Sequence, residues 1–292
     1  LLKNSADVRT VLYMVAATAV LIINWNLAAF SLPLFLVACF FGVSASVMAH
    51  NHTHAKMWTN KYMNIFQDYW ITVFYGFPVF AWIPTHNRNH HRYTNKPGDR
   101  TATWLLSEKN NMATLLSYPT FSGLSQQPVV RDFLQQQWTN NRKRFWYCIS
   151  QYVVLAAWIG TALYLDWQKA LLYVIIPGQV GLFTVLIFNY VQHIHADEES
   201  EYNHSRNIVG FWLNAMLFNN GYHTIHHMKP YLHWSELPAA HAEIAQHIHP
   251  SLNEKSFWGY MFRVYVLGLF DSRYRTDDMR AARMASEAVA AK

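Results

Sequence analysis

The stretch SLPLFLVACFFGVSASVMAHNHTH, residues 31–54, carries no charge from Ser31 to Ala49 and then ends on His50, His52 and His54. A helix needs about 20 mostly apolar residues to cover the hydrocarbon of a bilayer. This one meets that length and reaches water bearing imidazoles. Just upstream, residues 8–30 (VRTVLYMVAATAVLIINWNLAAF) form another apolar segment. The join around Asn24 to Pro33 is short, so the two read as an antiparallel helical hairpin. A second pair follows at 145–165 and 170–190, joined by the equally tight DWQK. Backbone polar groups in lipid must be satisfied within the segment, so these spans are helices. The first is too long in its apolar part for a signal peptide and lacks a small-residue cleavage pattern.

The average composition hides this alternation. The chain of 292 residues is 52% hydrophobic and only 14% charged, against about 25% charged for a soluble domain. Its mean hydropathy is nevertheless near zero, because apolar spans alternate with blocks rich in His, Asn and Arg. Cys39 and Cys148, the two cysteines, each lie in an apolar run and read as small buried hydrophobes rather than a disulfide framework or metal ligands. The segment 63–83, with Gln67, Asp68 and Pro78, is a poor span and reads as interfacial or partly embedded, as does 208–218, which is too short to cross.

Charge placement sets the expected orientation. Of 23 Lys and Arg, Lys169 alone falls in the two tight connections. The others lie in the N-terminal part, in 50–144 or after 190, and the positive-inside rule puts those regions in the cytoplasm. The net charge of +6 is explained by this bias and does not call for nucleic acid. All 16 histidines fall on the same side. The expected architecture is a single all-α integral membrane domain of four transmembrane helices in two hairpins. A cytoplasmic helical cap, 50–144 and 191–270, holds a dimetal site, and a tail, 271–292, has no assigned role.

Histidines gather in three boxes: HNHTH at 50–54, HNRNHH at 86–91 and HTIHH at 223–227. His50 and His54 are four apart, as are His86 and His90, with His91 adjacent. His223, His226 and His227 stand at i, i+3 and i+4. Residues three or four apart share a helix face, so each box can aim two or three rings at one point. Pro84-Thr85 and Asn220-Gly221 read as helix starts before the second and third boxes. At the end of the last span, FNYVQHIH places Asn189 and His193 four apart as well. Nine histidines exceed what one tetrahedral zinc can use, and no carboxylate base lies within the boxes. Two redox metals with open positions are the better reading, since imidazole suits iron, copper, zinc and nickel alike.

His52 and His195 fall on the opposite helix face and are left out. His204, His233, His241, His247 and His249 have no convergent partner and read as ordinary solvated or packed residues. Asp68, Asp99 and the acidic run Asp197, Glu198, Glu199 and Glu201 are candidates to support ligating rings from behind, although a solvated acidic loop is the plainer reading of that run. Trp70, Phe74, Tyr75 and Trp82 can line an apolar tunnel or equally pack against lipid or protein. Arg88, Arg92, Lys96 and Arg100 flank the second box, where they can meet an acidic or phosphate-bearing partner or form a lipid-facing basic rim.

The boxes His50–His54, His86–His90–His91 and His223–His226–His227, in this order and with two helical hairpins, resemble the membrane fatty acid desaturase and hydroxylase superfamily. Asn189 to His193 resembles the NxxxH element of its stearoyl-CoA desaturase branch, and NNGYHTIHH with MKPYLHW is similar to bacterial acyl desaturases. The resemblance implies a non-haem diiron centre. Its ligands would be His50, His54, His86, His90, His91, His193, His223, His226 and His227, with Asn189 acting through water and no further catalytic residue. It implies dioxygen as co-substrate and an acyl-lipid, acyl-CoA or acyl-carrier-protein substrate that loses hydrogen from an unactivated C–H bond. It also implies electrons from a ferredoxin, rubredoxin or b-type cytochrome, and residence in a bacterial inner membrane. Hydroxylation, acetylenation and carotenoid oxygenation are the alternatives within the superfamily. A histidine-rich metal transporter is a remote one, since Gln151, Gln179 and Thr184 are too sparse to line an ion path.

Overall fold

The computed structural model describes residues 1–290. Four helices are long and apolar enough to cross a membrane: α1 (Val8–Asn26), α2 (Leu32–His54), α7 (Arg142–Leu165) and α8 (Trp167–His193). Between α2 and α7 lie α3 (Lys61–Tyr75), α4 (the π-helical stretch Ile83–His90, continuing as His91–Tyr93), α5 (Met112–Ser125) and α6 (Gln127–Asn140). After α8 come α9 (Phe211–Met216), α10 (His223–Met228), α11 (Leu237–Ile244), α12 (Phe257–Phe270) and α13 (Met279–Ala290). The all-helical pattern is interrupted by one short parallel pair, β1 (Asn207–Ile208) beside β2 (Asn253–Glu254).

The span ends follow local chemistry. Helix α1 stops at Asn26 rather than near residue 30, because Leu27 is extended and Ser31 starts the next helix with Pro33 in its first turn. That position suits proline, which has no N–H to lose there. Helix α2 continues past Ala49 to His54, so the first box is the last turn of the span itself. Asp166 accepts from the backbone N–H groups of Gln168 and Lys169 and so caps the start of α8.

The chain forms two compact units, Leu1–Asn87 with Pro128–Val185, and Arg88–Gln127 with Leu186–Lys292. In the first unit both hairpin turns are pinned. Asn24 Nδ2 donates to the Leu34 carbonyl at 3.2 Å, and Lys169 Nζ donates to the Trp25 carbonyl at 2.6 Å, near the electronegative end of α1. Helices α2 and α8 cross where side chains are absent. A Cβ on Gly42 would lie 2.0 Å from the Pro177 carbonyl oxygen, and one on Gly181 would lie 2.3 Å from that of Gly42. Small residues permit such backbone approach between membrane helices. Gln151, polar within α7, accepts from the Phe80 N–H at 3.0 Å, so it holds a loop. An apolar cleft lies among Leu21, Phe41, Val73, Phe74, Trp158 and Tyr173. Of the four aromatics expected to line a tunnel, Phe74 borders it, with Trp70 stacked behind at 4.2 Å.

In the second unit, a core of Ala196, Ile248 and Leu252 packs with Tyr202, Ile244 and Met279, the first residue of α13. The last turns of α8 are tied to this unit by Arg206. Its fully buried guanidinium donates to the carbonyls of Val191 (2.6 Å) and Ile194 (3.1 Å), groups that the helix end leaves without intrahelical partners.

Candidate metal centre

In the first unit, His50 and His54 occupy one face of the last turn of α2. Their ring centroids are 5.0 Å apart, and His86 of α4 lies 4.6 and 5.1 Å from them. Trp82 packs against both His50 (5.5 Å) and His86 (5.1 Å) and so sets the ring directions. Pro84 sits in the second position of its helix, as expected from the sequence. On the opposite face of α2, His52 Nε2 lies 3.2 Å from Asp68. That carboxylate also takes Lys56 Nζ at 2.7 Å and the Tyr147 hydroxyl at 2.7 Å. Burial alone would raise the Asp68 pKa, but His52 and Lys56 prevail and hold it at about 2. Asp68 thus braces the back of the first box rather than a ring of the trio.

The second unit gathers His90, His193, His223 and His227. One nitrogen of each lies within 4.8 Å of one nitrogen of every other. His193 Nε2 and His223 Nε2 are 2.9 Å apart, and His227 Nε2 and His223 Nε2 are 3.1 Å apart. Imidazoles bound to one ion at about 2.1 Å place adjacent donors roughly 3 Å apart. The outward nitrogens have partners of the kind that ligating histidines use. His90 Nδ1 is 2.8 Å from Asp99 Oδ2, and His193 Nδ1 is 3.3 Å from the His204 carbonyl. Burial, then the neighbouring imidazoles, push the His227 pKa well below the ordinary range, which favours the neutral ring that binds metal. A second pair in the same unit, His91 Nε2 and His226 Nε2, stands 2.9 Å apart.

Asp99 reaches His90 because the chain reverses behind the second box. Thr94 and Asn95 adopt left-handed backbone conformations, with φ of 43° and 64°, which cost about 1–2 kcal/mol for a β-branched residue such as Thr94 and less for asparagine. The turn is held by Asp99 itself. Its Oδ2 accepts from the Asn95 N–H at 2.8 Å, and its Oδ1 accepts from Thr101 N–H (2.8 Å) and Oγ1–H (2.7 Å). Burial opposes the charge, yet His90 and Thr101 bring the Asp99 pKa down to about 2. The third box is fixed by Asn207, whose Oδ1 accepts from Thr224 N–H and whose Nδ2 donates to Thr224 Oγ1, both at 2.9 Å. Asn189 donates to the Tyr118 hydroxyl (2.6 Å), which donates to the Thr101 carbonyl (2.5 Å), so it is linked to the turn carrying Asp99.

Several sequence expectations are corrected here. The acidic run is only partly a solvated loop: Glu199 and Glu201 are exposed, but Glu198 is buried and Asp197 half-buried, and these two pair with arginines rather than with histidines. Glu198 is buried and takes Arg280 Nε at 2.8 Å and Arg283 Nη2 at 3.0 Å, while Asp197 takes Arg283 Nε at 2.6 Å. Glu199 pairs with Lys96 at 2.7 Å, so that lysine of the basic rim is already engaged. The C-terminal helix, without a role in the sequence, therefore straps the loop that follows His193. The last two residues of the tail, Ala291 and Lys292, lie outside the described residues. His204 is buried with its ring 5.7 Å from His227, and its Nδ1 donates to the Glu201 carbonyl at 3.0 Å. His204 and Arg206 were missed because no spacing relates them to a box. An arginine soon after a span end is the one signal in the sequence, and its burial is visible only in the fold. His247 lies against Tyr202 at 4.9 Å, away from these groups.

The donor set suits a transition metal. It is all imidazole, its buried rings converge through Nε2, and a carboxylate or carbonyl stands behind two of them. Searches against curated proteins and against solved structures found no match. The family model for fatty acid desaturases matches residues 24–259, a region that takes in every one of these histidines, and the chain belongs to that family.

Proposed function

We propose that this membrane protein is a dioxygen-dependent fatty acyl desaturase that works as one domain and introduces a double bond into an acyl chain. Membership of the family gives fatty acid modification by an oxidoreductase of the desaturase kind, and desaturation is the more specific reading. The observation that carries it is the four-histidine group, three of its rings buried and His227 half-buried, with Asp99 fixed behind His90 and Asn189 tied in through Tyr118.

In this reading, two iron ions are held by nine histidines. His90, His193, His223 and His227 would hold one, with Asn189 acting through water, and the resemblance adds His50, His54, His86, His91 and His226 to the ligand set. Bound iron supplies the redox chemistry by which dioxygen oxidises a C–H bond. The chain's own groups position it: Asp99 holds the proton on His90 Nδ1, the His204 carbonyl holds that on His193 Nδ1, and Arg206 fixes the end of α8. The cleft bordered by Phe41, Phe74 and Trp158 offers apolar walls to an acyl chain. The substrate is an acyl-lipid, acyl-CoA or acyl-carrier-protein. Electrons come from a ferredoxin, rubredoxin or b-type cytochrome, and Arg88, Arg92 and Arg100 suit an acidic donor surface. The metal-bearing side and both ends of the chain face the cytoplasm of a bacterial inner membrane, in keeping with the bias of Lys and Arg.

Mass spectrometry of lipids from a host expressing the protein tests this. A new double bond that disappears in the His226→Ala variant is expected. A hydroxylated, acetylenic or carotenoid product would replace the desaturase reading with another oxygenase reaction, and one zinc per chain would overturn the redox assignment.

A further inference from the structure

Helix α12, Phe257–Phe270, plays no part in the metal centre, yet its surface is unusual for one facing water. Phe257, Tyr260, Val264 and Tyr265 are buried, while Trp258 (77%), Phe262 (56%), Leu269 (63%) and Phe270 (85%) are exposed. Trp258, Phe262, Val266 and Leu269 stand at i, i+4, i+8 and i+11, and so share one face. The helix is too short to cross a bilayer, since 14 residues span about 21 Å against about 30 Å of hydrocarbon.

Two further observations bear on its occupant. The Phe257 ring packs edge-on against Phe188 of α8, with centroids 5.0 Å apart. Phe188 precedes the end of that membrane-length helix by five residues, or about 7.5 Å along its axis. The aromatic helix therefore starts at the depth where the fourth span leaves the hydrocarbon. The pairing of β1 with β2 then brings α9 alongside. Val209 N–H donates to the Glu254 carbonyl at 2.8 Å, and Gly210 lies so close to the Lys255 carbonyl that a Cβ would come within 1.8 Å of its oxygen. This seats exposed Phe211 (72%) and Trp212 (76%) beside the start of α12. Exposed Lys255 precedes the helix, and exposed Arg273, its guanidinium paired with Asp271 at 2.6 Å, follows it. Tryptophan and phenylalanine with cationic ends are the composition of segments that lie in the headgroup boundary.

We propose that α12, together with Phe211 and Trp212, is an interfacial anchor whose occupant is the lipid surface of the leaflet in which α8 ends. The buried side of the anchor is wired to the candidate centre: Tyr265 donates to Asn110 Oδ1 at 2.6 Å, and Tyr190, beside Asn189, donates to the same oxygen at 3.4 Å. Seating in lipid thus steadies the part of α8 that carries Asn189 and His193. The proposal needs a membrane-embedded chain but not the desaturase reading.

The test uses the full chain in phosphatidylcholine–phosphatidylglycerol vesicles, with both native cysteines replaced by alanine and single cysteines placed by Trp258→Cys, Phe262→Cys or Ala285→Cys. Position 285 on α13 is exposed and serves as the aqueous reference. Reaction with a membrane-impermeant maleimide at positions 258 and 262 is expected to be at least tenfold slower than at 285. Equal rates would overturn the proposal. Protection that disappears on dilution to one chain per vesicle would also overturn it, assigning the face to a second copy. As a check free of substitutions, wild-type protein is irradiated with a photoactivatable phospholipid. Adducts on peptides covering 257–270 and 211–212 are expected, and adducts confined to the four spans would refute the anchor.

Discussion

Replacing Asp99 by asparagine removes a charge while keeping the shape of the side chain. In the wild type the two carboxylate oxygens accept four hydrogen bonds, from His90 Nδ1, Asn95 N, Thr101 N and Thr101 Oγ1, at 2.7–2.8 Å. An amide offers one acceptor oxygen and one NH2 group. If the oxygen faces Thr101, the NH2 meets the N–H groups of His90 and Asn95; if it is flipped, it meets the Thr101 N–H. The ring of His90 then loses either its orienting acceptor or the turn that supports it, and in both cases it loses the carboxylate charge beside Nδ1. Loss of such a partner lowers metal affinity about 10- to 100-fold, or about 1.4–2.7 kcal/mol. The assay is iron per chain after equilibrium dialysis against a graded competing chelator. Wild-type protein should keep about two irons at a chelator concentration where Asp99→Asn keeps about one, because the carboxylate supports only the four-histidine group. Chelator midpoints agreeing within threefold, in a variant that remains monodisperse, would refute the reasoning.

His226→Ala should abolish turnover and reduce bound iron, whereas His247→Ala, at an exposed ring against Tyr202, should change neither; activity with parallel iron analysis decides. Asn189→Ala breaks the link to Tyr118 and should slow turnover more than it lowers metal content, which single-turnover rates beside iron titration would reveal. Asp68 has a pKa lowered from 3.8 to about 2 by His52 and Lys56, so its contribution to stability is present above pH 4 and lost as pH falls from about 4 to about 2. Asp68→Asn should therefore cost about 2 kcal/mol at neutral pH, with the gap to wild type closing below pH 4 in thermal unfolding of detergent-solubilised protein. A gap that stays constant down to pH 3 would count against the ion pair.

Much of this protein was legible before any coordinates. Hydrocarbon thickness dictates the length of an apolar helix, so four long apolar stretches announce four spans wherever they pack. Helical periodicity places residues four apart on one face, so His50 with His54 and Asn189 with His193 could be matched by spacing alone. These are local rules that act within one element. They left Asp99 as one of six candidate carboxylates, with Asp68, Asp197, Glu198, Glu199 and Glu201, and could not choose among them.

Spacing could not reveal contacts closed by the fold over long stretches of chain. The destination of Glu198 depends on Arg280 and Arg283 returning from the C-terminal helix, and the cap on the end of α8 depends on Arg206 being buried against Val191 and Ile194. His52 and Asp68 meet because α3 packs on the back of α2. The sequence by itself determined which side chains are candidate metal ligands and which segments are apolar and long enough to span lipid, since both follow from residue chemistry and local period. Tertiary structure alone decided which polar groups stand behind those ligands, because a buried charge must find its partner in space, wherever along the chain that partner lies.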